Sequence, residues 1–116
     1  KCPCPGLVEF VERGELHGPA VEQEVRERLA PALTPRPDAV VLGCTHFPFL
    51  KDAIRAVAGQ ELCFFDGAEG TARETKRRLE DHGLLLSETA GGQVTLKNSA
   101  AAPALTALEW QLLNEP

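Results

Sequence analysis

Residues 39–46 read AVVLGCTH, in which four apolar residues are followed at once by glycine, cysteine, threonine and histidine. A short, unbroken apolar run between turn signals is typical of a strand that is buried on both faces in a parallel sheet. Gly43 ends the run, and a helix is predicted after Pro48 because Leu50 and Ile54 recur at helical spacing. The stretch therefore predicts a strand whose carboxyl end leads into a helix.

The rest of the chain continues this alternation of strands and helices. A second buried strand is predicted over residues 61–65. The other predicted elements are helices over 5–13, from Gly18-Pro19 to Pro31, over 68–82 and over 102–113, and a last strand over 93–97. In the helix over 68–82, we expect Ala68, Ala72 and Leu79 to face inward. This order of elements predicts an α/β fold built on an open parallel sheet.

Composition and charge narrow the class of protein. A chain of 116 residues suits one compact domain, and 43% hydrophobic with 25% charged residues is ordinary for a globular protein. The net charge of -5 provides no basic face for nucleic-acid phosphates. No apolar run approaches the roughly 18 residues of a membrane-spanning helix. We therefore expect a cytoplasmic protein with neither a nucleic-acid nor a membrane partner.

The four cysteines are unevenly spaced, unlike the disulfide framework of a small secreted domain, so reduced thiols are predicted. Cys63 lies inside an apolar segment and is predicted to be a buried core residue. Cys2 and Cys4 lie on a stub before the first helix. A zinc site built from Cys2, Cys4, Cys44 and His46 is an alternative, although one residue between the members of each pair is unusually few for structural zinc.

Cys44 lies where the predicted strand gives way to a helix. Ligands of open α/β sheets bind beyond the carboxyl ends of the strands. A thiol there can meet backbone N–H groups that favour the thiolate, and the same groups with the Thr45 hydroxyl can hold a substrate carboxylate. His46 can exchange protons near neutral pH and tune that thiol. The alternative is a packed cysteine, a capping threonine and a surface histidine in a noncatalytic interaction domain.

Residues 40–50, VVLGCTHFPFL, closely resemble the second signature of the aspartate/glutamate racemase family, and its glutamate racemase branch in particular. Cys4-Pro5, with Val11-Glu12 after it, is similar to the segment that precedes this signature in that branch. Residues 64–68 are similar to the segment that follows it. The resemblance covers nearly the whole chain and weakens after about Gly83.

This resemblance implies a cofactor-independent isomerase that converts L-glutamate to D-glutamate without pyridoxal phosphate or metal. One cysteine thiolate removes the Cα proton, and a second thiol reprotonates the opposite face. By this match Cys44 is one of the two thiols, with His46 and Glu12 as further catalytic residues, while Thr45 and His46 bind substrate. Aspartate-specific relatives have an acidic residue at the position of His46, so the match favours glutamate. An aspartate or other amino-acid racemase of the same family is the alternative.

The resemblance also implies a biological setting, and the sequence departs from the family pattern at one position. The product is D-glutamate for bacterial peptidoglycan, hence for cell-wall biogenesis and cell shape, and a homodimer is a plausible assembly. Phe47 stands where a tyrosine is common in the family, which keeps the aromatic ring and loses a hydroxyl.

The fold that the resemblance implies is an open parallel-sheet three-layer α/β sandwich of the aspartate/glutamate racemase type, of which this chain is expected to be a fragment. The family's other thiol lies in an Asn-Thr-bearing segment after an early strand, and this sequence contains no such segment. Residues 1–67 are expected to form part of the second lobe, with the Cys-Thr-His motif. Residues 68–116 are expected to return to the mostly missing first lobe. Such a fragment is expected to have no racemase activity alone.

Overall fold

The computed structural model describes residues 1–86, 91–100 and 102–114. The strands are β1 (Ala39–Val41) and β2 (Cys63–Phe65), and the helices are α1 (Leu7–Glu12), α2 (Pro19–Leu29), α3 (Lys51–Ala58), α4 (Ala68–Asp81) and α5 (Pro103–Leu113). Short 3-10 turns follow α2 at Ala30–Ala32 and precede α3 at Phe47–Leu50. Within the described residues, no helix is both long and apolar enough to cross a membrane.

The two strands form a parallel pair, joined by the 3-10 turn and α3. Ala39 pairs with Cys63 and Val41 pairs with Phe65, so both strands end at the same edge. The Leu42 N–H donates to the Phe65 carbonyl at 2.7 Å and extends the pairing by one residue. The segments that follow β1 and β2 therefore emerge side by side, as expected for a strand-helix-strand unit.

The core lies between one face of this sheet and the helices α1, α2 and α3. All of the buried residues in the described part of the chain are apolar: Leu7, Val11, Leu16, Val21, Val25, Leu29, Leu42, Leu50, Ala53, Ile54 and Leu62. In α2, Val21, Val25 and Leu29 recur at four-residue steps and place one stripe of the helix in the core. The helix predicted from Gly18-Pro19 to Pro31 is confirmed here as α2.

The opposite face of the sheet is open, and the prediction of strands buried on both faces is wrong for the described residues. Side chains alternate along a strand, so Val40 and Phe64 point to the helices while their neighbours point away. Val41 is 76% exposed and Phe65 is 59% exposed. Cys63 is also exposed, which corrects its predicted place in the core. No element within the described ranges covers this face.

Two further predictions after β2 are wrong. No residue of α4 is buried, so Ala68, Ala72 and Leu79 do not face a core. Residues 93–97 do not form a strand, because no described strand lies beside them to complete the hydrogen bonding. The final helix, α5, is confirmed, and its Gln111 Nε2 donates to the Gly14 carbonyl at 3.3 Å.

Candidate functional site

Cys44 lies two residues after the buried Leu42, in the loop between β1 and the 3-10 turn that precedes α3. The backbone N–H of His46 donates to the Cys44 sulfur and lowers the pKa of this thiol below its ordinary value. The His46 side chain and the Phe47 backbone N–H act in the same direction, while partial burial of the sulfur opposes them. These are the backbone donors that the strand-to-helix position of Cys44 predicts.

The His46 ring lies between the Cys44 thiol and a carboxylate. Its Nδ1 is 3.8 Å from Cys44 Sγ, and its Nε2 is 2.6 Å from Glu12 Oε1. The hydrogen bond to Glu12 raises the pKa of His46 above its ordinary value, and the sulfur of Cys44 adds to this increase. A raised imidazole pKa beside a lowered thiol pKa favours a thiolate and an imidazolium in contact.

Glu12 reaches His46, which is 34 residues away in the sequence, through the packing of α1. Leu7 and Val11, one helical turn apart, are 1% and 0% exposed and fix this helix against the 3-10 turn. Glu12 is the last residue of α1, and its side chain stays 55% exposed while it contacts the ring. The predicted site residues Cys44, His46 and Glu12 are therefore brought together in one row.

Thr45 lies beside this row, with its Oγ1 at 3.4 Å from His46 Nδ1. Its side chain is exposed and faces an open cleft of about 710 Å³ between the segments that follow β1 and β2. The cleft is lined by Val41, Leu42, Gly43, Cys44, Thr45, Pro48, Asp66, Gly67, Ala68 and Thr71. It lies beyond the carboxyl ends of both strands, where ligands of open α/β sheets bind.

Asp66 and Lys51 also contribute to this region, although neither is among the predicted site residues. Lys51 Nζ donates to Asp66 Oδ2 at 2.7 Å, and the Ala68 N–H donates to Asp66 Oδ1 at 2.9 Å. The hydrogen bond from Lys51 lowers the pKa of Asp66 below its ordinary value, and that from Ala68 adds to the effect. The sequence signal that could have identified Asp66 is its position directly after the second parallel strand, where ligands of open α/β sheets bind.

The remaining cysteines do not line this cleft. Cys63 begins β2, at the opposite end of the strand from Asp66, and Cys2 and Cys4 lie before α1. Among residues 1–86, 91–100 and 102–114, no three side chains of His, Cys, Asp or Glu are grouped so that they could hold a metal ion. The zinc site proposed from Cys2, Cys4, Cys44 and His46 is therefore not assembled.

The rate of Cys44 alkylation by iodoacetamide is expected to rise with pH at a midpoint below that of free cysteine, since the thiolate is the reacting form. His46→Asn should move this midpoint only part of the way back, because the backbone N–H remains when the imidazole is removed. Mass spectrometry of the Cys44 peptide across a pH series measures both midpoints. A wild-type midpoint at or above that of free cysteine contradicts the assigned environment.

The known proteins that are similar to this chain agree with the family resemblance of residues 40–50. No model of a protein family matches the chain. Glutamate racemase from Clostridium perfringens is 40% identical over 111 residues, which cover 96% of this chain and 43% of that relative. The chain is homologous to the glutamate racemases. It spans less than half the length of the curated relatives that it matches.

Solved glutamate racemases have the same α/β fold. The structure from Thermus thermophilus in complex with β-chloro-D-alanine is similar with a TM-score of 0.68 and 37% identity, over 91% of this chain and 41% of that one. The structure from Francisella tularensis in complex with D-glutamate has a TM-score of 0.65 and 26% identity, over 77% of this chain and 33% of that one. The predicted fold class is confirmed, with this chain corresponding to part of the larger glutamate racemase fold.

Proposed function

We propose that this chain forms part of a cofactor-independent glutamate racemase, an isomerase that interconverts L-glutamate and D-glutamate, and that Cys44 is one of its two catalytic thiols. The relatives named glutamate racemase support the reaction. The complexes of two solved relatives with D-glutamate and with β-chloro-D-alanine support a small amino acid as ligand. The observation on which the proposal chiefly depends is the row Glu12–His46–Cys44 at the edge of the cleft.

The chemical step is a proton transfer at the substrate Cα. The Cys44 thiolate takes the Cα proton from one face and becomes a thiol, while the electron pair of the broken C–H bond is delocalised toward the α-carboxylate. A second thiol gives its proton to the opposite face of the same carbon and becomes a thiolate. The product is the other enantiomer, and the two sulfurs have exchanged protonation states, so the reverse reaction uses the same groups.

His46 supports this step through its contact with the thiol. In the imidazolium form it stabilises the Cys44 thiolate electrostatically, and the Glu12 carboxylate holds the proton on the far nitrogen of the ring. The same imidazolium attracts a substrate carboxylate, and the exposed Thr45 hydroxyl can donate a hydrogen bond to it. We therefore assign catalysis to Cys44, His46 and Glu12, and substrate binding to Thr45 and His46.

The second thiol is proposed to come from another lobe of the enzyme. Residues 1–67 are assigned to one lobe with the Cys44 motif, and residues 68–116 to the return of the chain toward the other. The exposed side chains of Val41 and Phe65 are consistent with a covering element on the open face of the sheet. We further propose a cytoplasmic enzyme, assembled as a homodimer, whose D-glutamate enters bacterial peptidoglycan.

The exchange of the Cα hydrogen for deuterium tests this assignment. An enzyme that contains this chain together with a lobe bearing the second thiol is expected to incorporate solvent deuterium into both glutamate enantiomers. The 116-residue chain alone is expected to form none of the opposite enantiomer, because inversion needs a proton carrier on each face of the carbon and Cys44 is the one sulfur that lines the cleft within the described residues. NMR spectra of glutamate incubated in heavy water measure the deuterium, and a chiral assay measures the inversion, with aspartate as the substrate control. Inversion by the isolated chain, or preference of the enzyme for aspartate, contradicts the proposal.

A further inference from the structure

A second pair of thiols lies at the amino-terminal end of the described chain. Cys2 Sγ and Cys4 Sγ are 4.0 Å apart, with one proline between the two residues. The Cys2 thiol donates to the Arg28 carbonyl at 3.4 Å, and the Cys4 thiol donates to the Cys2 carbonyl at 3.5 Å. The contact with Arg28 joins the stub to α2, so two sulfurs close in sequence are also close in space.

The pair packs on the protein rather than extending into solvent. Both cysteines are partly buried against the hydrophobic core. They line a small cavity of about 280 Å³, together with Leu7 and Leu29. Pro3 fixes its own backbone φ between them, which limits the conformations in which the sulfurs can separate. The packing therefore keeps both thiols on one side of the stub.

This pair is separate from the proposed catalytic site. The cavity that contains Cys2 and Cys4 is not lined by Cys44, Thr45 or His46, and the cleft that contains Cys44 is not lined by either stub cysteine. The two cavities share three lining residues, Val41, Leu42 and Gly43. The proposed racemase mechanism does not involve Cys2 or Cys4, so any reaction of this pair is a different one.

We propose that Cys2 and Cys4 form an oxidant-responsive dithiol, which reacts with hydrogen peroxide and closes to an intrachain disulfide. The Cys2 sulfur attacks one oxygen of the peroxide, and the O–O bond breaks. That oxygen stays on Cys2 as a sulfenic acid, and the other oxygen leaves as water after taking the thiol proton. Cys4 then attacks the Cys2 sulfur, forms the S–S bond and releases a second water. Two thiols lose two hydrogens, and one peroxide is reduced to two waters.

The environment of Cys4 sets this order of events. Burial, together with the adjacent Cys2 sulfur, raises the pKa of the Cys4 thiol to about 11. Cys4 therefore stays protonated at neutral pH, and the peroxide meets Cys2 first. Closing the bond draws the sulfurs from 4.0 Å to about 2 Å.

Peptide mapping tests the proposal on the chain as it stands. Trypsin releases residues 2–13 as one peptide that contains both cysteines. After treatment with one equivalent of hydrogen peroxide and alkylation of the remaining thiols, this peptide is expected to lack two hydrogens and to take no label. The exposed Cys63 is expected to be labelled fully. Cys2→Ser and Cys4→Ser should each abolish the unlabelled form, and the control Cys63→Ser should leave it unchanged.

The same map distinguishes the competing results. A Cys44→Ser background is expected to give the same closed peptide, because the dithiol reacts without the catalytic thiol. Disulfides that link Cys2 or Cys4 to Cys44 or to a second chain would overturn the proposal, and so would complete labelling of both stub cysteines after peroxide treatment. The readout is a mass and does not depend on racemase activity, so the failure of one proposal leaves the other standing.

Discussion

Cys44→Ala is expected to reduce racemisation of both glutamate enantiomers by about 10⁴-fold in an enzyme that contains this chain, the upper end of what a positioned acid or base contributes. The alanine methyl group cannot accept the Cα proton in one direction or return it in the other. The second thiol of the proposed mechanism approaches from the opposite face and cannot replace this function. Circular dichroism or a chiral assay of glutamate measures the loss in both directions.

Cys63→Ala is the matched control for this substitution. Cys63 is also an unpaired cysteine in a strand-helix-strand unit, but it is exposed and lies at the far end of β2 from the cleft. The control variant should keep wild-type rates. A Cys44→Ala enzyme that still racemises within about 10-fold of wild type excludes this sulfur as a proton carrier.

Glu12→Gln is expected to lower the racemisation rate by about 10²-fold and to narrow its pH range. The substitution removes the carboxylate that is the first cause of the raised His46 pKa. His46 then loses its proton at a lower pH than in wild type, so the alkaline limb of the rate profile moves down. With less imidazolium beside it, the Cys44 thiolate takes up a proton at a higher pH, so the acid limb moves up.

Profiles of kcat/KM against pH measure this effect, and Glu9→Gln provides the control. Glu9 lies on the same helix one turn earlier and is exposed, so that variant makes the same change in charge without touching His46. Glu9→Gln should leave both limbs in place. If the acid and alkaline limbs of the pH profile shift equally in the two variants, the cause is a general effect of charge. If neither limb shifts in Glu12→Gln, Glu12 is not part of the site.

The sequence predicts the local elements that position the site because their signals are short-range. The apolar run before Gly43 predicts β1, and the spacing of Leu50 and Ile54 predicts the helix after it. Cys44, Thr45 and His46 directly follow this strand, so the sequence alone indicates them as candidate site residues. The resemblance of residues 40–50 to the racemase signature adds a role for each of them.

The predictions that fail are those that depend on which other strand or helix packs against a segment. Burial of both strand faces requires a covering layer on each side, and the described residues supply one. Cys63 and Phe65 are therefore exposed despite an apolar sequence around them. The alternation over residues 93–97 likewise cannot form a strand without a partner strand beside it. The periodicity of apolar residues indicates which face of a segment can be buried. It does not indicate whether another element is present to cover that face.

The sequence by itself determined the strand-to-helix junction, the identity of its three polar residues and the helical stripes of the core, because these depend on residues within one or two turns of each other. The tertiary structure alone decided which face of the sheet is covered, that Glu12 lies 2.6 Å from His46, and that Lys51 pairs with Asp66 beside the cleft. These contacts join segments that are 34 and 15 residues apart. Such distances are set by the packing of α1 and by the parallel register of β1 and β2, and no local pattern encodes them.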